Sequence, residues 1–219
     1  KMKRILFDLD GTLTDPFLCI TRSVAYSLKS FGIEVDDLET LKPFIGPPLD
    51  VSFREYYHMD EAQSWKAVEK YREYFSKKGL FENKVYEGME DFLQSLLNMD
   101  MKLYVCTSKP EVFAKEILDH FSLTPYFTGI YGATLDGSLK NKGDVIAHCI
   151  KQEQLNIQDC MMVGDRQHDI VGAHQNQIPC IGVLYGYGSL EEFQEYHCDY
   201  IAKDLIELKK IIEEWKDVK

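Results

Sequence analysis

"RILFDLDGTLTD", Arg4 to Asp15, is the stretch on which the reading of the whole chain turns. Residues 4–9 form a short apolar run, as expected of a strand buried on both faces of a parallel sheet. Behind it, Asp8, Asp10 and Asp15 crowd three acids into eight positions. Either these are ordinary turn residues, or they hold something positive and do chemistry with it.

Downstream of this strand, Pro16 opens a helix expected to run to Phe31, with Phe17, Ile20, Val24, Leu28 and Phe31 on one stripe. Gly32 stops it. No strand run follows before residue 86. "KPFIGPPLD" (42–50) is a rigid turn. Asp60 and Gln63 have capping-box spacing ahead of a helix carrying Trp65, Val68, Arg72 and Phe75. From Glu87 onward strands and helices alternate, with strands expected at 102–108, 129–133, 160–165, 179–186 and 199–202. Such alternation predicts an α/β fold, a doubly wound parallel sheet with a Rossmann-like core. That core would comprise 1–15 and 86–219, with a small all-helical domain, 16–85, inserted after the first strand.

Composition narrows the function classes. With 219 residues, 45% hydrophobic and 28% charged, the chain has the make-up of a soluble globular protein. Its apolar runs are too short to span a bilayer, and its start does not resemble a signal peptide, so a cytoplasmic protein is expected. A net charge of −11 with no basic block argues against binding a nucleic-acid backbone. It leaves room for a small anionic substrate, because a local site can be positive. The six cysteines form no C-x-x-C pair and read as small core residues in a reducing compartment.

In a parallel sheet, ligands bind at the carboxyl ends of the strands. Asp8 and Asp10 follow the first strand; Thr107, Ser108 and Lys109 follow the second; Gly164, Asp165 and Asp169 follow "CMMV". The architecture would gather them at one sheet end. Asp8 and Asp10, two apart in extended chain, share a face. A like-charged pair ~4 Å apart costs about 4 kcal/mol at an effective dielectric of ~20, which is large against a domain stability of roughly 5–15 kcal/mol. A cation or a proton must therefore neutralise the cluster. Oxygen ligands without histidine favour a hard ion such as Mg²⁺. Carboxylates, Mg²⁺, a hydroxyl and a lysine suggest phosphoryl transfer, in which a carboxylate can be the nucleophile.

"DLDGTLTD" (8–15), "VCTSK" (105–109), Lys142 in "SLKNKGDVI" (138–146) and "VGDRQHDI" (163–170) resemble, in order, the four motifs of the haloacid dehalogenase-like hydrolase superfamily. The helical insertion resembles that family's cap domain, and the chain looks most like the phosphoglycolate phosphatase and 5′-nucleotidase-like branch. The resemblance implies roles. Asp8 would be the nucleophile and a Mg²⁺ ligand. Asp10 would protonate the leaving alcohol and then activate water, its backbone carbonyl touching Mg²⁺. Thr107, assisted by Ser108, would bind the phosphoryl group. Lys142 would neutralise phosphoryl oxygens and hold Asp8; its "KGD" context at a helix start favours it over Lys140. Asp165 would bind Mg²⁺. Asp169 would serve the metal, directly or through water, or orient Lys142. Arg54, with Tyr56, Tyr57 and His58, is a candidate for reading the substrate's far end, although aromatic residues on helices also serve packing.

An acid at Asp10 suits expulsion of an alkoxide, as in a phosphatase. The alternative is a sugar phosphomutase, but those enzymes usually carry a histidine where this chain has Ile20. A non-catalytic binding protein on the same fold is the third reading, and the intact acids argue against it. The glycine-rich "YGYGS" (185–189) is expected to be a rim loop. Near "HQNQIP", where the family often has glycine at Gln177, Asn176 is expected to take the left-handed position that stops the helix. The expected partner is a small phosphorylated metabolite, with no nucleic acid and no membrane, and the chain is expected to work as a monomer.

Overall fold

The computed structural model describes residues 2–218. They fall into two compact units: Asp15–Lys84 is one, and the remaining described residues form the other.

The larger unit is built on a parallel sheet of six strands: β1 (Arg4–Phe7), β4 (Lys102–Pro110), β5 (Gly129–Ala133), β6 (Cys160–Gly164), β7 (Cys180–Val183) and β8 (Tyr200–Ala202), in the order β5-β4-β1-β6-β7-β8. β1 pairs with β4 on one side and β6 on the other, so the strand order reverses at β1. That is the switch point where an open α/β sheet leaves a crevice beyond its strand ends. β2 (Thr14–Asp15) and β3 (Lys84–Val85) form a separate two-stranded sheet where the chain passes from one unit to the other.

Alternation along the strands supplies two apolar layers. Leu6, Tyr104, Cys106, Met162 and Cys180 share a buried cluster with Val145, Ile146 and Cys149 of α6 (Lys142–Gln152), Ile170 and Ala173 of α7 (Gln167–Gln175), and Phe193 of α8 (Leu190–Glu195). On the opposite face, Phe7 meets Phe92 of α4 (Met89–Asn98) edge-on, with ring centroids 6.2 Å apart. α5 (Glu111–His120) flanks β4 and β5, and α9 (Leu205–Asp217) packs beside α4. Five cysteines are buried and Cys198 is partly so, all as free thiols.

The smaller unit holds three α-helices: α1 (Phe17–Ser30), α2 (Leu49–Tyr57) and α3 (Glu61–Lys77). Ile20, Val24 and Leu28 are buried along α1, while Phe31 ends the stripe exposed. Asp60 and Gln63 close a reciprocal capping box at the start of α3, which satisfies two otherwise orphaned backbone donors. Ser27 Oγ donates to Ala67 O at 2.6 Å, tying α1 to α3.

One local expectation is corrected. The left-handed residue after α7 is Gln177 itself, at φ 58°, while Asn176 keeps φ −101°. Asn176 is held there by its side chain, whose Nδ2 donates to Gly143 O and Gly172 O at 2.8 Å each. Those bonds join α6 to α7 and leave the following residue to make the turn.

Candidate active site

The main polar groups on the carboxyl side of β1, β4 and β6 are placed by local features of the chain. Past β1, the chain turns at Gly11, where φ is +83°, a conformation glycine adopts without the steric cost other residues meet. A Cβ there would also overlap the carboxylate of Asp165. The turn keeps Asp8 and Asp10 at the strand end with 4% and 6% exposure.

β4 runs past the end of β1. Between Cys106 and Pro110 its pairing with β5 slips, so that four steps on β4 match two on β5, from Tyr131 to Ala133. This irregularity falls on Thr107, Ser108 and Lys109, as bulges beside active sites often do. The Lys109 backbone N–H donates to Thr107 Oγ1 at 3.1 Å. The Thr107 hydroxyl, with an acceptor lone pair occupied, keeps its proton to donate. Lys109 Nζ lies 3.3 Å from Asp10 Oδ2, with both side chains buried.

Lys142 opens α6, and a close approach of backbones brings it inward. A Cβ on Gly172 of α7 would stand 2.8 Å from Gly143 N and 2.9 Å from Lys142 Cγ. The two helices therefore pack nearly backbone to backbone, and Lys142, 5% exposed, points into the sheet end. Its Nζ sits 2.6 Å from Asp8 Oδ1, 3.0 Å from Asp169 Oδ1 and 3.0 Å from Cys106 O. It donates to Asp8 Oδ1 and Cys106 O and is ion-paired with Asp169, whose Oδ1 has no hydrogen-bond partner among the described residues.

After β6, Asp169 in the first turn of α7 folds back. Its Oδ2 accepts from the backbone N–H of Asp165 at 3.0 Å and of Arg166 at 3.1 Å. Asp165, fully buried, receives Thr12 Oγ1 at 3.4 Å and the Tyr187 N–H at 2.9 Å. The "YGYGS" loop is thus more than a rim: Tyr187 binds Asp165, and Tyr185 Oη donates to Thr12 O at 2.6 Å. Glu192 anchors the same region, accepting from Arg166 Nε and Gln167 N.

The electrostatics are lopsided. Asp8, Asp165 and Asp169 each offer an oxygen within 4.8 Å of the others. Burial, then Asp169, push the Asp8 carboxyl up to about 7 despite Lys142. Burial, then Asp8 and Asp169, raise Asp165 well above the usual carboxylate range. Burial alone would lower the Lys142 ammonium, but Asp169 and Asp8 outweigh it and hold it firmly protonated. An all-oxygen donor set with unneutralised acids fits a hard divalent cation such as Mg²⁺.

The structure gathers Asp8, Asp10, Thr107, Ser108, Lys142, Asp165 and Asp169 at one end of the sheet. Arg54 belongs to the other unit, where its Nη1 pairs with Asp50 Oδ2 at 3.1 Å and donates to Ser64 Oγ at 3.3 Å. Asp15 accepts the Phe17 N–H at 3.1 Å and serves the helix start. Thr12 and Tyr187 were not foreseen from sequence; a hydroxyl two residues beyond Asp10 and a glycine-flanked loop after a strand were the only signals.

Known proteins supply independent comparisons. Residues 5–183 match the family model described as haloacid dehalogenase-like hydrolase. A 5′-nucleotidase of Pseudomonas aeruginosa is 47% identical over 95% of each chain. A crystal structure of a predicted phosphatase from Clostridium acetobutylicum superposes with a TM-score of 0.96 at 49% identity, covering 98% of this chain and all of that one. The tyrosine-protein kinase PtkA of Mycobacterium tuberculosis is 36% identical over 84% of this chain and 62% of its own length. No helix among the described residues is long and apolar enough to cross a membrane.

Proposed function

The chain belongs to the haloacid dehalogenase-like hydrolases, and on that premise we propose that it is a Mg²⁺-dependent phosphatase of small phosphorylated metabolites acting through an aspartyl-phosphate on Asp8. Its class is phosphoric monoester hydrolase. The observation that carries the reading is the buried group of Asp8, Lys142 and Asp165, in which acids outnumber cations.

Asp8, Asp165 and the Asp10 carbonyl would hold Mg²⁺, which when bound neutralises the acids and the phosphoryl oxygens. Asp169 has Lys142 on one oxygen and two backbone N–H groups on the other. We therefore read it as positioning Lys142 and Asp165. The remaining steps belong to side chains. An Asp8 oxygen attacks phosphorus and the ester P–O bond breaks. Asp10 gives its proton to the departing alkoxide. Water then attacks the phosphorus of the aspartyl-phosphate, Asp10 takes a proton from it, and inorganic phosphate leaves with Asp8 restored. Lys142 and the Thr107 hydroxyl meet the phosphoryl oxygens, where charge builds up in the transition state.

A nucleoside 5′-monophosphate is the leading substrate class, because the 5′-nucleotidase relative is 47% identical while phosphoglycolate phosphatases such as that of Vibrio parahaemolyticus are 24% identical. Phosphoglycolate comes next. The relatives lend the phosphomutase reading no support, and Ile20 is buried in α1. The test is a panel of phosphate esters with Mg²⁺, run beside acid-quenched labelling. The parent should release phosphate and trap a phosphoprotein, and Asp8→Asn should do neither. Equal turnover by the parent and pure Asp8→Asn would refute the proposal.

A further inference from the structure

The mechanism above leaves Lys109 without a task, although its side chain is only 6% exposed and its Nζ lies 3.3 Å from Asp10 Oδ2. Asp10 Oδ1, also buried, has no hydrogen-bond partner among the described residues. The two oxygens of one carboxylate are thus treated differently: one is paired to an ammonium group, the other is left open. We propose that Lys109 is a positioning residue for Asp10, fixing Oδ2 so that Oδ1 is the oxygen that passes protons to and from the reacting groups. This rests on the proton-transfer role assigned to Asp10 above.

The physical need is plain. The carboxylate torsion of an aspartate is broad and soft, whereas proton transfer requires an oxygen within about 2.6–3.2 Å of its partner. Pinning one oxygen fixes the plane and hence the place of the other. The same residue also fixes Thr107, through its backbone N–H on Oγ1 at 3.1 Å. The slipped pairing between Cys106 and Pro110 is what lets the tripeptide do both. A lysine that merely bound substrate phosphate would act on every ester alike. One that acts through Asp10 changes the transfer to Asp8, and so kcat/KM, only where the leaving group needs a proton; its effect on the later attack of water is common to all esters and falls on kcat.

The experiment compares kcat/KM, with Mg²⁺, for propyl phosphate and acetyl phosphate. Propoxide needs protonation to leave, while acetate does not. Lys109→Met should lower kcat/KM for propyl phosphate about 100-fold, in the range set by general acid catalysis, and for acetyl phosphate by less than about 5-fold. Lys109→Arg should restore most of the loss. Lys109→Met placed in an Asp10→Ala background should cost nothing further, because the two would act as one unit. Equal losses on both esters, or additive losses in the double variant, overturn the inference. Should Lys109→Met melt early, Lys109→Gln takes its place under the same criteria. Asp8→Asn separates the two levels: activity that survives it removes the aspartyl-phosphate route on which the inference rests, while Asp8-dependent activity with a flat leaving-group pattern removes only the role of Lys109.

Discussion

Lys142 and Arg54 each reach a buried aspartate, one in each unit of the chain. In the helical unit, Asp50 is 3% exposed and Arg54 closes on it from four residues along the same helix, its own side chain 33% exposed. There the acid is not in excess: Arg54 still touches water, the charge of Arg72 also acts on Asp50, and Ser64 takes part of the Arg54 donor capacity. In the sheet unit, Lys142 is 4% exposed and shared between Asp8 and Asp169. With every acid ionised, the four carboxylates Asp8, Asp10, Asp165 and Asp169 face two ammonium groups, Lys109 and Lys142. Two negative charges remain, the charge of one divalent cation. A folded chain gains nothing in stability from such an excess. A buried acid matched by cations reads as architecture; an excess of buried acids reads as a place kept ready for a ligand.

The largest expected effect falls on the unbalanced side. Lys142→Met should lower kcat by at least about 1000-fold, since it removes charge from the transition state and releases Asp8. It should also cost about 3–5 kcal/mol in urea denaturation, because buried acids lose their partner. Metal removal is next. Asp8 is raised from 3.8 to about 7 in the metal-free protein, so between those values the folded state binds more protons than the unfolded one. Stability from this group is full at low pH and is lost as pH rises through 7. Mg²⁺ should therefore raise the melting temperature more at pH 8 than at pH 5.5, and EDTA should reverse the gain. A shift of equal size at both pH values would contradict the excess-charge account. Asp165→Asn sharpens it: without metal the variant should melt above the parent, and Mg²⁺ should no longer stabilise it.

Legibility followed the same division. The positions of the strands along the chain, and the acids beyond β1 and β6, could be read because strand pattern and the strand-end rule act locally; the order of strands within the sheet was not read. Lys142 could be preferred over Lys140 from its place at a helix start, but its contacts with Asp8, Asp169 and Cys106 could not. They depend on how closely α6 meets α7, which Gly143 and Gly172 decide across 29 residues of chain. Thr12 and Tyr187 were missed for a related reason: each is a partner of Asp165 brought in from another strand end, by a loop without periodic pattern. Gln177 in place of Asn176 shows local propensity yielding to tertiary bonds, here the two carbonyls that Asn176 Nδ2 bridges.

A backbone change at the site tests whether geometry as well as charge separates the two regions. Gly11→Ala would force a side chain into the left-handed region at φ +83° and against Asp165. It should cost on the order of 2 kcal/mol and lower kcat roughly 100-fold, the scale set by an ångström of misplacement. Normal activity would mean that the turn tolerates Cβ and that Asp165 is less tightly held than its contacts imply.

The smallest expected effect is the one that can undo the comparison. Arg54→Ala leaves Asp50 buried beside its helix and removes a half-exposed pair, so a loss of about 1 kcal/mol is expected. If Arg54 is architecture, kcat/KM for every ester stays within about 2-fold of the parent once the protein is folded. If instead it reads the far end of a substrate, KM rises for nucleoside monophosphates while acetyl phosphate, which has no far end, is unchanged. That second outcome would place function in a pair that charge balance assigns to structure, and balance would then no longer separate the two.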